Sequence, residues 1–466
     1  MIFLNIKKYI DYFKTNKNEQ MTFGELLTKG GDVFAAVPLI LFCFSPFFQL
    51  IYSFATSNEE PFIGDLFYPY TVNFVFVLCA LTGILAITAY FYNNKNTGLK
   101  NQIKNNIPMF IFLILCVWMI LTTAINGFTE EALHGDSYRN ESLFTYIIYF
   151  VIFYFCATFI KSENCKRAVM ISFFIPNVIV NATVLINEYI TPLIIYKFNE
   201  TFSAIFHQFN HYGYYLMIAI ILGASVFVLE KNIKMRVLGF LLFVLNTYIL
   251  TLNNTFGCFL ACIAAFVFLI FITVITNRKK IIPATVMLVL FLVISYVAGL
   301  KHLSFFNDLA GLVNDVKAIL GIVPEQSSLQ PETPAINAGD AGTGRWSLWT
   351  HTVKYISEKP LFGWGIEGIG KRLNTETGYN DRPHNEFLQW AAFFGIPASL
   401  IYITGVASVF IKSWKNRKNA NNVTLICTVV AFCYLVSSFF GNTMFYTAPF
   451  FFAFLGLSNT YLKQEK

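Results

Sequence analysis

The chain has 466 residues, 56% of them hydrophobic and only 13% charged, with a formal net charge of +7 and a mean hydropathy of +0.57. That composition excludes a soluble globule. No basic stretch is interleaved with aromatics as a nucleic-acid surface would be, so nucleic acid is excluded as a partner.

Apolar runs of roughly 18 or more residues recur along the sequence, the length that crosses about 30 Å of hydrocarbon. Irregular backbone cannot face lipid, and the runs are too long and unalternating for barrel strands. The fold expected is therefore all-α, a polytopic membrane helical bundle of about twelve transmembrane helices. A cytoplasmic segment, 1–32, comes first. Nine runs fill 33–300, at 33–54, 70–92, 107–125, 143–160, 168–190, 212–229, 235–252, 256–276 and 281–300. A long polar segment, 301–385, separates them from three more at 386–411, 423–440 and 445–462, and 463–466 forms the tail. The N-terminal stretch lacks the apolar core of a cleavable signal, so the first run is expected to stay as an anchor.

Lys and Arg alternate between loops. Lys95, Lys100 and Lys104, then Lys161, Lys166 and Arg167, then Lys231, Lys234 and Arg236, then Arg278 to Lys280, then Lys412 to Lys418 occupy every second one. The intervening loops carry acids, such as Glu59, Glu60 and Asp65, then Glu130, Glu131, Asp136 and Glu141. Both termini are therefore expected in the cytoplasm and 301–385 outside, and the net positive charge is a matter of topology. All six histidines of the chain fall on the external side: His134, His207, His211, His302, His351 and His384. External arginines at 139, 345, 372 and 382 present a fork of donors that suits phosphate oxygens. Lipid headgroups would use the same fork, and the sequence leaves both readings open.

The long segment divides in two. Up to Thr343 it is rich in Ser, Pro, Ala and Gly, which punctuate rather than build helices. From Arg345, Trp346, Trp349, Val353 and Ile356 recur at helical spacing, giving an amphipathic helix that ends at Lys359-Pro360. Gly363-Trp364-Gly365-Ile366-Glu367-Gly368 matches a dinucleotide fingerprint by letters only. It lacks the strand and helix of a βαβ unit, and reads instead as a tight turn passing close to a neighbour or a ligand. Pro383 disfavours helix at Arg382 and stiffens the approach to His384, which should sit near a helix N-terminus whose N–H groups favour anions.

His384-Asn385, nine residues, then Gly395-Ile396-Pro397-Ala398 resembles the H-[NSQ]-x9-G-x-x-G pattern of the O-antigen ligase and Wzy-type polymerase superfamily. Gly344-Arg345-Trp346 to Trp349 and Pro360 to Gly365 are similar to the same loop of that family. Gly135 to Leu143 and Phe206 to Asn210 resemble weaker family features. Ala398 replaces the last Gly, and Leu252-Asn253-Asn254-Thr255-Phe256-Gly257 lacks the Ser-Arg often found there in relatives. The resemblance implies transfer of an undecaprenyl-diphosphate-linked oligosaccharide to a sugar hydroxyl at the outer face of the bacterial cytoplasmic membrane, as polymerase or ligase. The donor glycan, a glycan or lipid-linked acceptor and the bilayer are the partners it implies; no cofactor or metal is expected. His384 would be catalytic, Arg345, Arg382 and Arg139 would bind the diphosphate, and Asn385, His207, Asn210, Trp349, Gly363 and Gly365 would position substrate. The competing class is a lipid-linked oligosaccharide flippase or transporter, which would carry charged residues near the bilayer midplane.

Overall fold

The computed structural model describes residues 36–56, 106–135, 140–160, 162–193, 201–206, 208–300, 345–377, 382–417 and 420–459, with 77, 103, 306 and 307. Nearly all of the expected second helix, the stretch to Thr343 in the long loop, both chain ends, Arg139 and His207 lie outside the described residues.

Among the described residues the regular structure is helical, with no strand. In chain order the helices are α1 (Ser45–Thr56), α2 (Ile107–Asn126), α3 (Glu130–His134), α4 (Leu143–Phe159), α5 (Glu163–Tyr189), α6 (Phe209–Leu229), α7 (Ile233–Asn253), α8 (Phe256–Thr276) and α9 (Ile281–Gly299). There follow α10 (Arg345–Glu358), α11 (Gly368–Thr377), α12 (Glu386–Phe394), α13 (Ile396–Lys415), α14 (Asn422–Ser437) and α15 (Ala448–Ser458). Seven are long and apolar enough to cross a membrane, and Ala36–Cys43, bent by 41° into α1, makes an eighth if the pair is one span. The protein is a multi-pass membrane protein. Twelve continuous spans are not what these residues form: α14 and α15 reach only 16 and 11 residues.

The expected tenth span, 386–411, is broken in two at Gly395. Gly395 has φ +88°, and a Cβ there would collide with the carbonyl oxygen of Leu361. Ile396 N–H then donates to Pro360 O at 2.8 Å, so the long loop is clasped at the break. The same contact orders the Gly363–Gly365 turn. Both glycines have positive φ, Trp364 N–H donates to Ala392 O at 2.8 Å and Gly365 N–H to Phe393 O at 3.0 Å. The turn therefore passes close to a neighbour, the C-terminal end of α12. The amphipathic helix is present as α10, but its buried face is Leu348, Thr352, Tyr355 and Ile356. Trp346 and Val353, expected on that face, are 37% and 54% exposed. In a membrane protein an apolar stripe can face lipid as readily as the core.

α6 is the central helix, buried along almost its whole length. It crosses α7 closely where Gly223 and Gly239 meet; a Cβ on either would strike the other's carbonyl oxygen. Small residues permit such backbone approach between membrane helices. Asn177, Asn181 and Asn246 bond to one another across α5 and α7, and Tyr212 of α6 donates to Asn181 Oδ1 at 2.6 Å. Each of these side chains is fully buried, so much of the hydrogen bonding they need comes from the neighbouring helices.

Alternate loops gather at opposite ends of the bundle. At one end Lys371 pairs with Glu131 and Arg382 with Glu141. At the other, Lys166 Nζ donates to Leu457 O in the last turn of α15, and Arg167 pairs with Glu230 just beyond α6. Burial pushes the Glu230 carboxyl up, but the Arg167 guanidinium and the N–H groups of Lys231 and Asn232 outweigh it and hold it below its ordinary value. A carboxylate with a depressed folded pKa stabilises above its unfolded pKa, and that contribution is lost as pH falls through the folded value. Arg167→Ala is therefore expected to lower the thermal midpoint in detergent at neutral pH. The gap to the parent protein should close as pH drops beneath the carboxylate range; a gap independent of pH would contradict the assignment.

Candidate active site

His384 stands two residues before α12 with φ +49°, in the left-handed region that non-glycine residues visit only at a cost. Three consecutive residues hold it there. His384 N–H donates to Asn442 Oδ1 at 2.8 Å, Asn385 Nδ2 to Phe439 O at 3.2 Å, and Glu386 N–H to Ser438 O at 2.9 Å. All three acceptors belong to the loop between α14 and α15, which reaches the same end of the bundle. Asn385 also caps α12, its Oδ1 accepting from Leu388 N–H at 3.0 Å.

The N-terminus of α12 is consequently not an open anion site. The N–H groups of Glu386 and Leu388 are already engaged, and the first helical residue is itself a carboxylate. Glu386 is buried, accepting from Tyr402 Oη and Ser438 Oγ, each at 2.7 Å. One turn on, Gln389 donates to Glu141 Oε1 and to Tyr146 Oη, and its Oε1 accepts from Thr443 N–H. The polar layer beneath His384 thus joins α4, α12, α13 and the α14–α15 loop.

Arg382 lies in this layer rather than on the surface. It is 1% exposed, with Nε 2.7 Å from Glu141 Oε2 and an Nη 3.2 Å from Glu367 Oε1. Its charge is matched by two carboxylates, so the diphosphate grip expected of it gives way to a structural ion pair. Arg345 is placed differently. It opens α10, half-buried, within electrostatic reach of Tyr214 on α6 and Cys258 on α8. Tyr214 Oη donates to Ser437 O at 2.8 Å and packs against Gly441. His384 thus docks on the short loop 437–442 through Asn442, and Tyr214, within electrostatic reach of Arg345, bonds to the same loop at Ser437.

The other expected site residues divide. Trp349 is half-buried beside Trp346, ring centroids 6.3 Å apart, and its indole N–H has no hydrogen-bond partner among the described residues. Asn210 is half-buried in the first turn of α6. Gly363 and Gly365 serve the clasp to α12. Sequence reasoning missed Asn442, whose only signal is the turn-like Gly441-Asn442-Thr443 between two apolar runs. It also passed over His211, whose ring lies 5.0 Å from that of Tyr446 in the same loop. Among the described residues no three His, Cys, Asp or Glu side chains are grouped to hold a metal.

The matched stretch of a family described as O-antigen ligase runs over residues 239–403. Residues 239–403 thus form an O-antigen ligase domain. No curated protein matches the chain. The O-antigen ligase domain runs from within α7 to within α13 and so contains Arg345, Trp349, Arg382, His384 and Asn385, whereas Asn442 and Glu141 lie outside it. The domain is of ligase or polymerase type and acts in glycan assembly.

Two outcomes test the geometry. Arg382→Ala leaves Glu141 buried without its partner, and should destabilise the protein by about 3–5 kcal/mol in thermal unfolding. Adding Glu141→Gln should recover part of that loss, as a coupled pair requires; simple additivity would refute the pairing. Asn442→Ala, which frees the His384 turn, should cut glycan transfer at least about tenfold with little change in thermal midpoint, and Asn442→Asp, which keeps the acceptor, should retain more activity.

Proposed function

We propose that the protein transfers an oligosaccharide from undecaprenyl diphosphate to a sugar hydroxyl at the outer face of the bacterial cytoplasmic membrane, as a polymerase or ligase of cell-surface polysaccharide. The observation that carries this reading is the O-antigen ligase match over residues 239–403, which contains Arg345 and the His384 held on the 437–442 loop. The alternating charge of the loops supports an external position for that end of the bundle.

In this reading His384 accepts the proton of the acceptor hydroxyl as its oxygen attacks the anomeric carbon. The bond from that carbon to the diphosphate oxygen breaks, and undecaprenyl diphosphate leaves with the electron pair. Arg345 offsets the charge that develops on it. Arg345 is within electrostatic reach of Cys258 in the first turn of α8, which follows the turn where Asn253, Asn254 and Thr255 stand in place of the Ser-Arg of relatives. Arg382 holds the catalytic turn through Glu141 instead of touching phosphate. Arg139 and His207, outside the described residues, keep their expected roles as proposals, a second diphosphate contact and a substrate contact. The indole N–H of Trp349 and the amide of Asn210 remain for sugar hydroxyls.

Purified protein with lipid-linked repeat units, with and without a second acceptor, tests the activity and separates polymerase from ligase. His384→Ala should reduce product about 10²–10⁴-fold while the protein still reaches the membrane. Arg345→Ala should lose activity comparably, with Arg345→Lys recovering part. Near-normal product from His384→Ala would overturn its role as base, and substantial activity in His384→Gln would assign it to orienting the diphosphate.

A further inference from the structure

At the end of the bundle opposite His384, helices α8, α13 and α14 enclose a groove of about 460 Å³, within the range of small-molecule sites. Its lining is almost wholly apolar, and no acidic side chain contributes to it among the described residues. The groove has direction. Its inner part is aromatic and aliphatic, with Phe268 and Phe432 stacked at 4.2 Å and Leu435 beyond them. Its mouth carries Thr276, Trp414, Arg417 and Thr424, where α8 and α13 end and α14 begins.

Arg417 is the one cation of that mouth among the residues lining it. Its guanidinium lies 4.4 Å above the Trp414 ring, and Nη1 donates to Trp414 O at 2.8 Å. These contacts fix the group in place, while its Nε is buried with no hydrogen-bond partner among the described residues. Lys412 and Lys415 in the last turn of α13 add positive charge nearby.

The dimensions match a single leaflet. From Phe268 to Thr276 the lining runs ~12 Å along α8, and from Thr424 to Leu435 ~16 Å along α14, at 1.5 Å per residue. Half of a ~30 Å hydrocarbon core is ~15 Å. A groove with a cation at its mouth, an apolar wall one leaflet deep and a buried donor without an acceptor is complementary to a lipid bearing a phosphate. We propose that it binds one anionic phospholipid of the leaflet opposite the His384 site, phosphate on Arg417 and an acyl chain along Phe268, Phe410 and Phe432. The site is separate from the transfer chemistry and does not depend on it.

Full-length protein purified in mild detergent, offered equal phosphatidylglycerol and phosphatidylcholine, is examined by native mass spectrometry. Phosphatidylglycerol should be retained in preference on the order of tenfold, because both lipids offer Arg417 a phosphate but the choline cation of the other is repelled by Arg417, Lys412 and Lys415. Arg417→Gln should abolish the preference, and Thr428→Trp, which fills the groove midway, should abolish retention of both lipids at an unchanged thermal midpoint. Equal retention of the two lipids by the unaltered protein overturns the proposal without recourse to any variant. So does a preference that survives Arg417→Gln, or retention of undecaprenyl phosphate ahead of phosphatidylglycerol.

Discussion

The site depends on a backbone conformation that its own residue disfavours. A histidine at positive φ persists only where surrounding bonds over-determine it, and here residues 384, 385 and 386 each bond to the loop between α14 and α15. Glu386 then anchors that loop a second time through Ser438 Oγ. The same loop receives Tyr214, so the stretch of backbone that holds the imidazole also meets a side chain within electrostatic reach of Arg345. The helices serve to hold two surfaces at the distance this contact requires.

Beneath the docking contact the chain uses charge sparingly and satisfies it fully. Arg382 and Glu141 are buried together, Gln389 donates to the second oxygen of Glu141, and Glu367 reaches in from the turn after Gly365. Burying such a pair is not by itself stabilising. Its value is geometric, since Glu141 precedes α4 while Arg382 precedes α12, and only one relative placement of these helices pairs them. The broken span at Gly395 belongs to the same device. It turns α12 into a short platform on which the Gly363–Gly365 strap can lie.

Much of this was legible in the sequence, for definable reasons. Length and apolarity alone locate membrane helices, and Arg345, His384 and Asn385 belong to a pattern whose chemistry is local. What escaped was tertiary. Gly395 sits in an apolar run and gives no sign there that Leu361 will press on it. Arg382 resembles a phosphate ligand until Glu141, far away in the chain, is found against it. The face of α10 was misread because Trp and Val signal burial in water but not beside lipid. Asn442 lies outside both the motif and the matched domain, and only the fold brings it to His384. The expected second span, Arg139 and His207 lie outside the described residues.

The length of chain between partners carries a consequence for biogenesis. Glu141 and Arg382 are 241 residues apart, His384 and Asn442 a further 58, and at the other end Lys166 and Leu457 are separated by 291. As the ribosome delivers the chain from its N-terminus, Glu141 and Lys166 enter the bilayer long before their partners are made. The early helices must therefore wait in an arrangement where these charges reach water, until Arg382 is made for Glu141 and α15 for Lys166. Pairing at the two ends is thus completed only after Arg382, Asn442 and α15 have been made, so a polypeptide that stops short of them lacks the contacts that hold the His384 turn.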